Sequence, residues 1–168
     1  MPRWPPPEYR IRTDFRAPLA YVFRWCTDYR PDDSHLIGEE YERRILERTP
    51  RRVVFEDLWW EPEGWRWRRS EVALRPPAYW HADSVGNVRD ASIDYQLKEL
   101  PDGGTRLELR MRRRPGPRSK RQPAKRELEN DLRKMWRGFA KALETDYRRS
   151  RPKRGSTMTR SRARASSH

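Results

Sequence analysis

The chain has 168 residues, 34% apolar and 38% charged, with a formal net charge of +14 at pH 7. That length suits one folded unit with tails rather than two, no apolar run approaches the ~20 residues that span a bilayer, and Met1 to Pro7 lacks the apolar stretch of a secretory signal. A single cysteine, Cys26, rules out an internal disulfide framework, and together these features point to a cytoplasmic protein.

Taken in chain order, Pro2 to Pro7 cannot join a regular ladder, so residues 1–7 read as an extended arm. Tyr9 to Phe15 alternates apolar with polar, the period of a strand with one wet face. From Pro18, a favoured first helical residue, Leu19, Val22, Phe23 and Cys26 recur at the spacing of a short helix. Asp28 to Gly38 carries turn formers and reads as a second short helix or an open loop. Six strands follow, at Tyr41–Arg48, Arg52–Trp60, Trp65–Leu74, Ala78–Val85, Ala91–Leu100 and Thr105–Arg113. They are separated by turn signals such as Glu61-Pro62-Glu63-Gly64 and Pro101-Asp102-Gly103-Gly104. In the last pair, Ile93, Tyr95 and Leu97 face the same way as Leu107, Leu109 and Met111, with Asp94, Glu108 and Arg110 opposite. After a basic linker, Gly116 to Pro123, a helix is predicted from about Ala124 to Arg149. Leu128, Leu132, Met135, Trp136, Phe139, Leu143 and Tyr147 form its apolar stripe, and it is long enough to cross the whole sheet. One folded domain is therefore expected over residues 8–150. The segment 151–168, rich in Arg, Ser and Thr, is expected to be a disordered basic tail.

The charge is unevenly placed. Arg110 to Arg126 and Arg148 to the end hold 17 of the 39 basic residues and no acid, leaving 22 basic against all 25 acidic residues elsewhere. The body is thus near neutral and the excess lies in a loop and a tail. Such blocks are usually solvated, and nucleic acid or an acidic surface is a possible but not favoured partner.

The sequence of strand, short helices, six-strand meander and long C-terminal helix resembles one superfamily. It joins steroidogenic-acute-regulatory-related lipid-transfer (START) domains, birch-pollen-type allergens and polyketide cyclases (SRPBCC, helix-grip). The resemblance covers about Tyr9 to Arg149. Its most specific part is Phe15 to Asp28, a strand ending in Ala17-Pro18, a helix with a Val22-Phe23 pair, then Asp28, which looks like the opening of polyketide cyclase-like members. The resemblance implies an α+β fold in which a curved antiparallel seven-stranded sheet grips the C-terminal helix. It also implies a cavity for a hydrophobic or aromatic molecule such as a lipid or polyketide. It does not imply a reaction, since fold does not fix function.

The candidate residues follow from face and phase. Tyr79, His81 and Asp83 share one face of their strand. Turned inward, they would supply an acid/base set for an aromatase or cyclase; turned outward, they would be solvated and leave Trp80 and Ala82 in the core. Trp65, Trp67 and Glu71 share a phase with Arg69, and Asp57 shares one with Phe55 and Trp59, so each group is a candidate cavity wall if inward. Tyr95 and, from the long helix, Met135, Trp136 and Phe139 complete the candidate ligand contacts. The same aromatics, Trp80 included, could instead fill the space outright. Cys26 on an apolar helical face reads as structural. His35, His81 and His168 are too far apart in sequence to suggest a metal site, and no glycine-rich phosphate loop suggests a nucleotide cofactor, so none is expected. No segment indicates an oligomeric state. The expected function is binding of a hydrophobic small molecule, with polyketide cyclisation and polyanion binding as alternatives.

Overall fold

A computed structural model describes residues 6–117 and 121–151. Its elements are β1 (Tyr9–Phe15), α1 (Leu19–Cys26), α2 (Asp33–Leu36), β2 (Glu42–Arg48), β3 (Arg52–Glu61), β4 (Gly64–Arg75), β5 (Tyr79–Gly86), β6 (Arg89–Glu99), β7 (Thr105–Pro115) and α3 (Lys125–Ser150). All seven strands join one antiparallel sheet in the order β1-β7-β6-β5-β4-β3-β2. The expected arm and tail lie outside the described residues, apart from Pro6, Pro7 and Arg151. No helix among the described residues is long and apolar enough to cross a membrane.

The sheet forms because six consecutive segments alternate in polarity and are joined by tight turns. Only β1 arrives from elsewhere, pairing with β7 from Tyr9↔Met111 to Phe15↔Thr105. The hairpin between β6 and β7 turns at Gly103, whose φ of +80° lies in the left-handed region that glycine occupies without steric cost. Asp28 to Gly38 contributes a single helical turn, α2. Helix α1 starts where the Pro18 carbonyl accepts the N–H groups of Tyr21 and Val22 at 3.0 Å, and ends where the hydroxyl of Thr27 donates to the Phe23 carbonyl at 2.7 Å.

The core lies between the inner face of the sheet and α3. Tyr9, Ile11 and Phe15 of β1 pack with Leu107 and Leu109 of β7, and Leu132, Trp136, Ala140 and Leu143 of α3 close over them. Phe15 meets the edge of Trp136 at 6.4 Å between ring centres. The helix does not cross the sheet, as its length would allow, but runs along its edge strand β1. Glu129 accepts the N–H of Arg10 at 2.8 Å, and Glu144 accepts the N–H of Arg16 at 2.9 Å. Fifteen helical residues rise about 22 Å and six strand residues about 20 Å, so the two spacings match. Backbone donors at a sheet edge would otherwise be left for water or another chain; here the helix takes two of them.

Phe15 is 1% exposed and Trp67 is 45% exposed. Phe15→Ala is therefore expected to lower unfolding free energy by about 3–5 kcal/mol in a urea titration, whereas Trp67→Ala should change it by no more than about 0.5 kcal/mol.

Candidate functional site

A cavity of about 220 Å³ lies inside this grip. Leu128, Leu132, Met135, Trp136 and Phe139 of α3 form one wall, Trp25, Cys26, Tyr29, Asp33 and Ile37 from the α1–α2 region a second, and inward side chains of the sheet the rest. The cavity reaches the surface at Glu39, which lines it and is exposed. The expected contacts Tyr95, Met135, Trp136 and Phe139 all line it. Part of the interior is filled by its own rings. Trp80, 1% exposed, stacks on Tyr95 at 4.7 Å, and Tyr95 lies 6.0 Å from Trp136. Tyr29, in the left-handed region at φ 44°, lays its ring 4.9 Å from Phe55. On β5, Ala82, Ser84 and Gly86 face inward in phase with Trp80, and of these four only Trp80 lines the cavity. A Cβ at Gly86 would come within 2.5 Å of the Trp67 carbonyl oxygen, so only glycine fits there.

The polar end of the cavity is built on Asp57. This side chain is 1% exposed and sits opposite Arg43 on β2 and Arg68 on β4, its direct partners in the neighbouring strands. Arg43 donates to both of its carboxylate oxygens, at 2.7 and 3.1 Å, and Arg68 donates to Oδ2. Arg43 also reaches Asp33 at 2.8 Å and lies 4.2 Å over the Phe55 ring. Burial opposes the charge on Arg43, but bonding to Asp57 outweighs it and holds the guanidinium above its usual value. Arg68 and Arg43 line the cavity; Asp57 stands behind them and is absent from its wall. Trp59 shares the inward phase of Asp57 but donates to Glu61 at 2.9 Å and does not reach the cavity.

The phenols here are poor acids. Burial pushes Tyr29 and Tyr95 upward, and Tyr41 up to about 12 against the pull of Arg43. Burial, with Asp28 and Asp33 nearby, also raises the Cys26 thiol, so it is no thiolate nucleophile at neutral pH. Asp33 is raised by burial, partly offset by Arg43.

Several expected residues lie elsewhere. Tyr79, His81 and Asp83 are on the outer face of β5, because Trp80, Ala82 and Ser84 occupy the inner one. They form a surface network in which Asp94 Oδ1 accepts from Tyr79 at 2.6 Å and lies 2.9 Å from His81 Nδ1, while Asp83 lies 3.0 Å from His81 Nε2. Against the cost of burial, these bonds keep Asp94 below the usual carboxylate value. A catalytic set inside the cavity therefore cannot be built from Tyr79, His81 and Asp83. Trp65, Trp67 and Glu71 are likewise outward and exposed on β4. The phase of β4 is set by Val72, fully buried, and by Ser70, whose hydroxyl bonds that of Ser84 at 2.8 Å; two residues earlier at a time, that phase brings Arg68 and Arg66 inward. What sequence reasoning missed is this row of inward arginines, Arg43, Arg66, Arg68, Arg89 and Arg113, on four of the seven strands. Phase alone could have found Arg113 and Arg89, which continue the apolar faces of Leu109-Met111 and Ala91-Ile93.

No family model matches the sequence, and no curated protein matches it. Solved structures do match the fold. A Thermus thermophilus protein, TTHA0849, superposes with a TM-score of 0.65 at 14% identity, over 83% of this chain and 99% of its own. The Zhui aromatase/cyclase of a Streptomyces species gives 0.64 at 13% identity, over 85% and 94%. Ara h 8.0201 gives 0.61 at 15% identity, over 85% and 98%. At such identities the likeness is one of fold, and the fold is the helix-grip α+β architecture that the resemblance over Tyr9 to Arg149 implied.

Replacing Asp57 would leave Arg43 and Arg68 without their shared counter-charge. Asp57→Ala is expected to cost about 3–5 kcal/mol of unfolding free energy, read from denaturant midpoints at unchanged slope.

Proposed function

We propose that this helix-grip chain binds a compact aromatic small molecule in the cavity between sheet and α3, and that it acts as a binding protein of the cytoplasm rather than as an enzyme. The observation that carries this reading is the space of about 220 Å³ that remains although Trp80, Tyr95, Trp136 and Phe139 already crowd the interior. Interiors are close-packed and voids of this size are few, so a persistent one framed by rings suits a flat occupant. Its volume favours one or two rings over an extended lipid chain.

A cyclase reading shares the fold of the Zhui aromatase/cyclase. It would need a free base deep in the cavity; Tyr29, Tyr41, Tyr95 and Cys26 are held protonated, and of the two carboxylates in the wall Asp33 is bonded to Arg43 and Glu39 sits exposed at the mouth. Binding is the better supported reading. The polyanion alternative rests on Arg112, Arg113 and Arg114 and on the tail from Arg148, of which 152–168 lie outside the described residues.

Native mass spectrometry of protein purified from its own host, followed by organic extraction, tests the proposal. A stoichiometric small aromatic is the expected result. Protein that is empty and also fails to enhance the fluorescence of a naphthalene dye would count against it. Met135→Trp, which fills the cavity from α3, should abolish dye binding, while His81→Ala on the outer face should leave the dye affinity within about twofold.

A further inference from the structure

We propose that the occupant of this cavity is an aryl anion, a one- or two-ring aromatic acid whose carboxylate sits between Arg89 and Arg113. The inference rests on the reading of the cavity as a ligand site and adds the chemical class of the ligand.

The inward arginines are unequally neutralised. Arg43 and Arg68 share Asp57, and Arg66 is paired with Glu61 at 2.8 Å and Glu63 at 3.3 Å. Arg89 and Arg113 line the cavity, and no ion pair joins either of them to a carboxylate among the described residues. Arg113 is 8% exposed, and its buried Nε has no hydrogen-bond partner among those residues. Two further cavity-lining donors, Nε of Arg68 and Nε1 of Trp136, are buried and unpartnered in the same way. A buried donor without an acceptor costs free energy, and an unpaired buried charge costs more. Three such donors and two cations around one space call for a ligand that accepts hydrogen bonds and carries negative charge. Arg89 feels the crowding: burial, and then the charges of Arg68 and Arg113, push its guanidinium down to about 10 against the weaker pull of Glu39 and Glu61, and it is still protonated at neutral pH. Burial also lowers Arg113.

Size and shape narrow the class. At a packing density of about 0.74, the cavity holds roughly 160 Å³ of ligand atoms, the scale of two fused rings and a carboxylate. The remaining walls, Ile93, Met111, Leu132, Met135 and Phe139, suit an aromatic body. A planar guanidinium meets a carboxylate with two parallel N–H donors, which an ammonium group cannot do.

The test measures binding of 2-naphthoate and of its neutral analogue 2-naphthalenemethanol to the full chain by titration calorimetry. The acid is expected to bind at least tenfold more tightly than the alcohol. Arg89→Gln and Arg113→Met should each weaken the acid about tenfold while leaving the alcohol within twofold. Replacing an unpaired buried cation by an apolar side chain of similar length is tolerated in folding. Arg113→Met should therefore keep or raise the melting temperature while losing the naphthoate-induced rise, a result that an unfolded variant could not give. Equal affinity for acid and alcohol would overturn the anion assignment and leave the aromatic cavity standing. No binding of either would overturn both. If Arg160→Gln, Arg162→Gln and Arg164→Gln together abolished naphthoate binding while Arg113→Met did not, the anion would belong to the basic C-terminal segment and the proposal would fail.

Discussion

A carboxylate with almost no access to water organises one end of this molecule. Asp57 cannot stay ionised inside an apolar wall by itself, so the strands on either side of β3 must each present a cation to it. Arg43 and Arg68 do so from directly opposing positions. This fixes the phase of the tip of β4, and a strand has only two phases. With Arg66 and Arg68 inside, Trp65 and Trp67 have no choice but the outer surface. The bulkiest residues of the strand are thereby kept out of the grip. Guanidinium groups occupy the room instead, and they leave a space where indoles would have closed it.

The rest of the interior divides into a dry part and a poised part. Near β1, β7 and the C-terminal half of α3, the packed side chains are apolar, and Leu143, Leu107 and Val22 are fully buried. Toward the N-terminal half of α3, the same helix stripe continues as Leu128, Met135 and Trp136 but meets arginines and phenols across the cavity. The apolar stripe is continuous, and what changes along it is the opposing sheet face. Apolar packing is thus concentrated at one end and buried polar groups at the other, where each unpaired group carries a cost.

Much of the architecture was legible in the sequence because its signals were local. The alternation of β1, the turn at Pro101 to Gly104 and the three-and-four spacing from Leu128 to Tyr147 each reflect one element's own periodicity, and the seven strands and α3 fall within a residue or two of those signals. The candidate site was legible only on α3 and β6, where apolar side chains mark the inner face. On β4 the usual rule, aromatic inside and charge outside, is inverted over Trp65 to Arg69, because the cations answer an acid on another strand. That pairing is a matter of register between β3 and β4, which no single strand carries. On β5 the trio Tyr79, His81 and Asp83 offered chemistry, yet the neighbouring Trp80 fits the core better than any of them. Size decided the phase there, and the polar trio became a surface network.

The attachment of α3 along β1 has a consequence for access. Lifting that helix would strip the N–H groups of Arg10 and Arg16 of their glutamate acceptors along with the packing of Phe15 against Trp136, so the helix is a fixed wall and the cavity opens on the opposite side. There the cavity surfaces at Glu39, beside the single turn of α2, which carries the Asp33 to Arg43 bond and buries Ser34. An occupant of the proposed site would therefore enter and leave past Glu39 rather than past α3.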